Sequence, residues 1–393
     1  MCPCNDIFCG NCCYFGKNRV LLQKKTVVYA RMEKRISVCR GALLGLAVGD
    51  AMGYAIDEKT WTEIQEDYGP NGLLGYDLVN GQAAASAYTQ VAAYTANGLL
   101  LGITRGKAEN YLRYIHLSLR EWARAQHFPR DPEKSWCWVA KIPQMRVRKC
   151  KDSRMLDALR METPATMEKP INRAASTGSL PAALITGLGC NDRGMPRSMA
   201  AQLGAQTVAL THGNTETFLC GSILAEIIAA IADGSDLPLQ TVYERAIDKM
   251  RICYGSRFPQ AESLAQRLLS AIGKAAEDTD HREAMEGFVC DSAEQCLQAA
   301  LYATLVCGGD FDTAMILAVN HSGRSGAVGA LTGGILGAYL GAEALPEFYL
   351  ESLEAANILE TLASDLALGS PTYGLFDHDW DQKYVQGIPA GIA

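Results

Sequence analysis

Period-two alternation of polar and apolar residues, the mark of a half-buried strand, is scarce in this sequence and never runs far. That leaves little for a β-sheet. Positive charge is also in deficit: 36 Lys and Arg stand against 43 Asp and Glu, a net charge of −7. The first 40 residues hold eight Lys or Arg and two Asp or Glu, so the remainder is more acidic than the whole. Phosphate neutralisation needs clustered cations, which excludes nucleic acid as the main partner. No apolar run long enough for a signal peptide follows the basic residues near the start. The segment Gly326–Ala342 carries no charge over seventeen residues, but it is short for a bilayer span and rich in Gly. It reads as a buried helix, with no membrane partner and a cytoplasmic location expected. The 37 glycines and 14 prolines among 393 residues are too few for collagen-like or low-complexity sequence.

Cysteine is sparse for a disulfide scaffold, 14 residues in a chain of this size, so reduced thiols are expected. Five of them, Cys2, Cys4, Cys9, Cys12 and Cys13, crowd the start at spacings that match no zinc pattern. Residues 1–37 are therefore expected to be a Cys-rich, basic extension, either disordered or artefactual, with Met32 an alternative start. Residues 38–393 are expected to form one domain.

What fills that domain is helical spacing. Apolar residues recur every three or four positions in Leu43–Met52, Val91–Leu101, Tyr111–Trp122, Ala200–Leu210, Phe218–Ile231, Val242–Ile252, Leu264–Ile272, Cys296–Val306, Met315–Val319 and Leu350–Leu366. The fold class is all-α. The least helical stretch, His127–Pro170, is rich in Lys, Arg and Pro and reads as a surface excursion or a lid. Gly329, Gly333, Gly337 and Gly341 line one helical face; since Gly weakens a helix by about 1 kcal/mol against Ala, such a stripe calls for close approach of another backbone.

Three segments, in order, resemble the ADP-ribosylglycohydrolase family, also called the dinitrogenase-reductase-activating glycohydrolase family. They are Arg40–Gly53 followed by Trp61 and Tyr68-Gly69-Pro70, then Leu210–Asn214, then Ala318–Gly323 followed by Gly329–Gly333. Weaker matches lie at Asp157–Arg160 and Gly178–Leu180. The resemblance implies an all-helical domain whose cleft holds two magnesium ions and cleaves the glycosidic bond of ADP-ribose conjugates. The family's metals are held by a Ser/Thr-Asp-Asp-Thr segment and an Asp-Ser/Thr-Asp segment, since Mg²⁺ takes oxygen ligands and needs carboxylates to offset its charge.

This chain departs from that pattern. The first segment reads Ser86-Ala87-Tyr88-Thr89 and the second Arg324-Ser325-Gly326. All four aspartates are replaced, so magnesium is expected to be lost and no other cofactor is implied. Arg324 puts a permanent cation where a metal is implied; it could contact phosphate or ribose, or neutralise Asp50 or Asp57. Asp57 and Asp50 are the candidate catalytic carboxylates, although Asp50 inside an apolar helix also reads as a buried anchor. Candidate ligand contacts are Ser86, Tyr88, Gly178, Ser179, Leu180, His212, Arg324 and Ser325. Gly178–Leu180 suits a turn whose backbone N–H groups meet phosphate, and His212 is either a cleft residue or a structural hydrogen-bonder. Tyr88 either fills the vacated metal space or stacks on adenine or ribose. The cysteines lack a His or acidic partner at helical spacing, which argues against a cysteine nucleophile. The function expected is metal-free binding of ADP-ribose, an ADP-ribosylated protein or a partner protein. The alternative is a glycosidic-bond hydrolase that works without metal, with Asp57 or Asp50 as base.

Overall fold

A computed structural model describes residues 10–106, 110–127, 131–190, 195–277, 280–371, 377–388 and 391, with side chains from residue 29 onward. The five N-terminal cysteines lie outside the described side chains. The described residues form α1 (Gly10–Tyr54), α2 (Trp61–Tyr68), α3 (Ala87–Thr104), α4 (Tyr111–His127), α5 (Ser153–Arg160), α6 (Leu180–Gly189), α7 (Ala200–Ala209) and α8 (Thr215–Ala232). There follow α9 (Leu239–Tyr254), α10 (Gln260–Lys274), α11 (His281–Glu286), α12 (Ala293–Val306), α13 (Phe311–Val319), α14 (Ser325–Leu340), α15 (Glu347–Ser352), α16 (Ala356–Leu368) and α17 (His378–Tyr384). Among the described residues the only β pairing is three isolated bridges. The fold is all-α, as the spacing of apolar residues implies. Starts are set by side-chain caps: Thr60 with Glu63 and Ser292 with Gln295 form capping boxes, and Ser86, Asn214 and Asp310 cap α3, α8 and α13.

The central pair is α1 against α14, running antiparallel. The glycine stripe of α14 meets a second stripe on α1: Gly41, Gly45 and Gly49 face Gly337, Gly333 and Gly329. A Cβ added at any of these six collides with the carbonyl of the opposite helix. The two backbones touch because neither carries a side chain at the seam.

The boundary expected between residues 37 and 38 falls inside α1. The Arg35 guanidinium donates to the carbonyls of Leu188 (2.8 Å) and Ala367 (3.3 Å), at the C-terminal ends of α6 and α16. Ser37 bonds the Glu343 carboxylate and accepts the Ala342 N–H. Two helical segments are long and apolar enough to cross a membrane by length and composition, Tyr29–Tyr54 and Thr215–Ala232, and 83% of each apolar window is buried in the fold.

Two expectations differ from what is observed. The continuous helix read over Leu350–Leu366 is broken into α15 and α16, because Ala355 turns left-handed at φ 62°. The stretch His127–Pro170 is neither a free excursion nor a loose lid. It folds into short 3₁₀ turns and α5, burying Cys137, Val139 and Met145 against the core.

Candidate ligand-binding cleft

Because α1 and α14 are antiparallel, the loop after α1 and the first turn of α14 emerge side by side at a cleft of about 270 Å³. Gly53 permits this: a Cβ there would lie 2.6 Å from the Cα of Gly326. Three bonds then lock the two segments together. The Glu58 N–H donates to the Gly323 carbonyl (2.8 Å), the Gly326 N–H donates to Asp57 Oδ1 (3.1 Å), and Arg324 Nη1 lies 2.6 Å from Glu58 Oε1. Glu58 adopts φ 68°, a left-handed conformation uncommon for a residue with a side chain. Burial pushes the Asp57 carboxyl up to about 6, against the opposing pull of the Gly326 N–H and the Arg324 guanidinium.

The N-terminus of α3 forms the facing wall. Ser86 accepts the Tyr88 N–H (3.1 Å) and caps the helix. The Tyr88 hydroxyl meets Thr177 Oγ1 at 2.9 Å, spanning from α3 to the turn before α6. Its Cε2 stands 3.6 Å from where a side chain on Gly326 would begin. Ser86, Ala87 and Tyr88 thus line the same cleft as Arg324 and Gly326.

Other candidates lie behind the cleft. Asp50 is fully buried, and its Oδ2 accepts the N–H groups of Ser86 (2.9 Å) and Thr89 (3.0 Å) and the Thr89 hydroxyl (2.6 Å). Burial pushes its carboxyl up, while those bonds pull it down. Asp50 anchors α3 to α1 and does not line the cleft. Gly178 does line it, whereas Ser179 and Leu180 turn inward and are buried. His212 is buried beneath the same turn, with Nε2 2.9 Å from Ser176 Oγ and Nδ1 2.8 Å from Thr211 Oγ1. It supports the wall that Ser176 presents. Ser325 is buried as well, its hydroxyl donating to the His321 carbonyl (3.2 Å).

The pattern of residues left one wall unseen. Lys149, Cys150, Lys151, Asp152, Arg154 and Met155 all line the cleft. The signal was the run Arg146-Val147-Arg148-Lys149-Cys150-Lys151, which in a Pro-rich stretch looked like surface. Lys149 Nζ bonds Glu354 Oε2 (2.9 Å) and the Ala85 carbonyl. Lys151 lies 3.2 Å from Glu58, and Arg154 lies 3.6 Å from Asp152. Burial would raise the Asp152 carboxyl, but the His212 imidazole 3.6 Å away and the hydrogen bond from the Ser176 hydroxyl hold it well below the usual range. The lining carries the carboxylates Asp57, Glu58, Asp152 and Asp291 against the cations Lys149, Lys151, Arg154 and Arg324. The cleft is thus balanced in charge, and Arg324 is paired with Glu58 instead of with Asp50 or Asp57.

One cysteine has a histidine near it, from a distant part of the chain. The neighbouring Cys296 and His321 side chains lower the Cys290 thiol, against burial. Helical spacing could not reveal a pair drawn from separate elements. Cys290 lies under the Arg324 loop, its carbonyl accepting the Arg324 N–H (3.3 Å), and does not line the cleft.

No curated protein matches this sequence significantly. A solved structure described as an ADP-ribosylglycohydrolase-related protein complex aligns with a TM-score of 0.49 at 22% identity, covering 86% of this chain and all of the other. The family model described as ADP-ribosylglycohydrolase matches residues 31–374. That span takes in α1 from Arg31 onward, α3, α14 and every wall of the cleft, and the chain belongs to the ADP-ribosylglycohydrolase family.

Proposed function

We propose that this chain is a metal-free member of its family that binds ADP-ribose, alone or on a protein, without cleaving the glycosidic bond. The observation that carries the reading is that Tyr88 and Arg324 both line the cleft, in the two segments that resemble the family's aspartate motifs. The donors present do not fit a pair of magnesium ions. Ser86 Oγ accepts the Tyr88 N–H, Thr89 Oγ1 donates to Asp50, Ser325 Oγ donates to the His321 carbonyl, and Asp57 Oδ1 accepts the Gly326 N–H. Mg²⁺ requires several free oxygen ligands in near-octahedral array and anionic charge around it. Arg324 adds a cation there instead.

Binding falls to groups that remain. Gly178 contributes half-buried backbone to the lining, Arg324 can exchange its carboxylate partner for a phosphate oxygen, and Tyr88 adds an aromatic ring. Calorimetric titration with ADP-ribose, with and without chelator, tests this alongside an assay for release of ADP-ribose from modified protein. The expected result is saturable, chelator-insensitive binding with no release.

Asp57 favours a second reading. A cleft carboxyl raised to about 6 has the acidity of a general base or acid working near neutral pH, which suits metal-independent hydrolysis. Release of ADP-ribose that survives chelator and disappears in Asp57→Asn would establish that reading over the first.

A further inference from the structure

The basic wall of the cleft has no regular secondary structure over residues 148–152, so its backbone must find partners elsewhere. Two buried glutamines supply them. Gln90, on α3, donates through Nε2 to the carbonyls of Gln144 (3.1 Å) and Val147 (3.0 Å). Its Oε1 accepts from Trp122 Nε1 (3.0 Å) and from Gln126 Nε2 (3.2 Å). Gln126, on α4, accepts through Oε1 the N–H groups of Lys149 (2.9 Å) and Cys150 (3.1 Å), and its Nε2 also donates to the Val147 carbonyl (3.3 Å).

A primary amide has two donor hydrogens and two acceptor lone pairs, and both glutamines use all of theirs. Exposure of the two residues is 2% and 1%. A fully satisfied buried network of this kind defines one geometry, because rotating either amide breaks its bonds with no water to replace them. The strap is also tied at the cleft side: Glu354 Oε2 takes Lys149 Nζ (2.9 Å) and the Ala85 N–H (3.2 Å), immediately before the cap of α3. At the mouth stand Lys151 and Arg154, with side chains 65% and 58% exposed beside carboxylate partners.

We propose that Gln90 and Gln126 are positioning residues, and that the strap 144–152 which they clamp is the specificity-determining wall of the cleft. By fixing the strap they set Lys151 and Arg154 where an anionic, diphosphate-bearing ligand enters. The ligand part of this inference rests on the function proposed above; the clamp does not.

The strap itself supplies the probe, since Arg146, Arg148, Lys149 and Lys151 are tryptic sites. Limited trypsinolysis well below the melting temperature, read by mass spectrometry, compares wild type with Gln126→Leu, Gln126→Glu and Glu354→Gln. ADP-ribose affinity is measured by calorimetry on the same proteins. Gln126→Leu should cut about tenfold faster at the strap alone and lose about tenfold in affinity. Gln126→Glu, which keeps an acceptor for the Lys149 and Cys150 N–H groups, should recover part of both. Glu354→Gln alters a part-buried tie without emptying the core, so it tests the strap even if Gln126→Leu does not fold. Cleavage that rises equally throughout the chain, or strap protection unchanged in every variant, would overturn the proposal. Selective strap cleavage in a protein that binds no ADP-ribose would support the clamp and sink the ligand assignment.

Discussion

Arg324 Nη1 is held 2.6 Å from Glu58 Oε1, and this pair joins the loop after α1 to the first turn of α14. Both side chains are roughly half-exposed, so solvent screens the pair and its removal should change stability by less than about 1 kcal/mol. Its effect on ligand should be larger. Arg324→Ala should weaken ADP-ribose binding by about tenfold, the worth of one charge-assisted bond. Glu58→Gln frees the guanidinium and should strengthen binding severalfold. Calorimetry on both variants checks this; equal losses from both would show that the pair acts only as a brace.

The paired helices α1 and α14 give a contrast between two glycines. Gly49→Ala drives a methyl into the Gly329 carbonyl, and should cost at least about 1–3 kcal/mol, the usual penalty of overpacking. Gly326→Ala puts its Cβ 3.5 Å from Asp57 Oδ1 and 3.6 Å from Tyr88 Cε2, ordinary contact distances. It should be neutral or gain up to about 1 kcal/mol of helix propensity. Denaturant unfolding of the two variants settles the comparison.

Asp57 should leave a signature in the pH dependence of stability. Burial raises its carboxyl to about 6 in the folded protein, whereas an unfolded Asp titrates near ~3.9. The folded state thus binds more protons between those values, and stability falls as pH rises through that window. Above it the loss is constant, on the order of 3 kcal/mol. Asp57→Asn should therefore gain on wild type from about pH 4 to about pH 6 and hold that gain at higher pH. Parallel pH–stability curves for the two proteins would refute the raised carboxyl.

The all-α class was legible because helical spacing is a local property, and so was the convergence of Ser86, Tyr88, Gly178 and Arg324, carried by motifs that resemble the family's. Glu58 was not, because its partners Arg324 and Lys151 come from distant sequence. The basic wall was hidden for a similar reason: its bonds are made by Gln90 and Gln126, two ordinary-looking residues on helices, and no local pattern marks a side-chain amide that serves a remote backbone. Asp50, His212 and Ser325 have the residue types of a site but sit behind it, a distinction set by packing. The break at Ala355 escaped because its left-handed turn uses no Gly.

Residues before Met32 and the residues just after it should differ in their effect on stability. Starting the protein at Met32 removes the exposed Arg31–Asp233 pair, 3.6 Å apart, and should shift the melting temperature by no more than about 2 °C. Arg35→Ala strips the guanidinium from two helix C-termini and should cost about 1–2 kcal/mol. Thermal melts of both proteins test the pair of expectations, and a large fall on truncation would place structural weight on the N-terminal segment.

The central claim is that this cleft works without metal, and magnesium titration by calorimetry in the presence and absence of saturating ADP-ribose tests it most directly. The account expects no magnesium binding in either condition and an ADP-ribose affinity unchanged by chelator. Stoichiometric magnesium uptake, or ADP-ribose affinity that disappears with chelator, would contradict it.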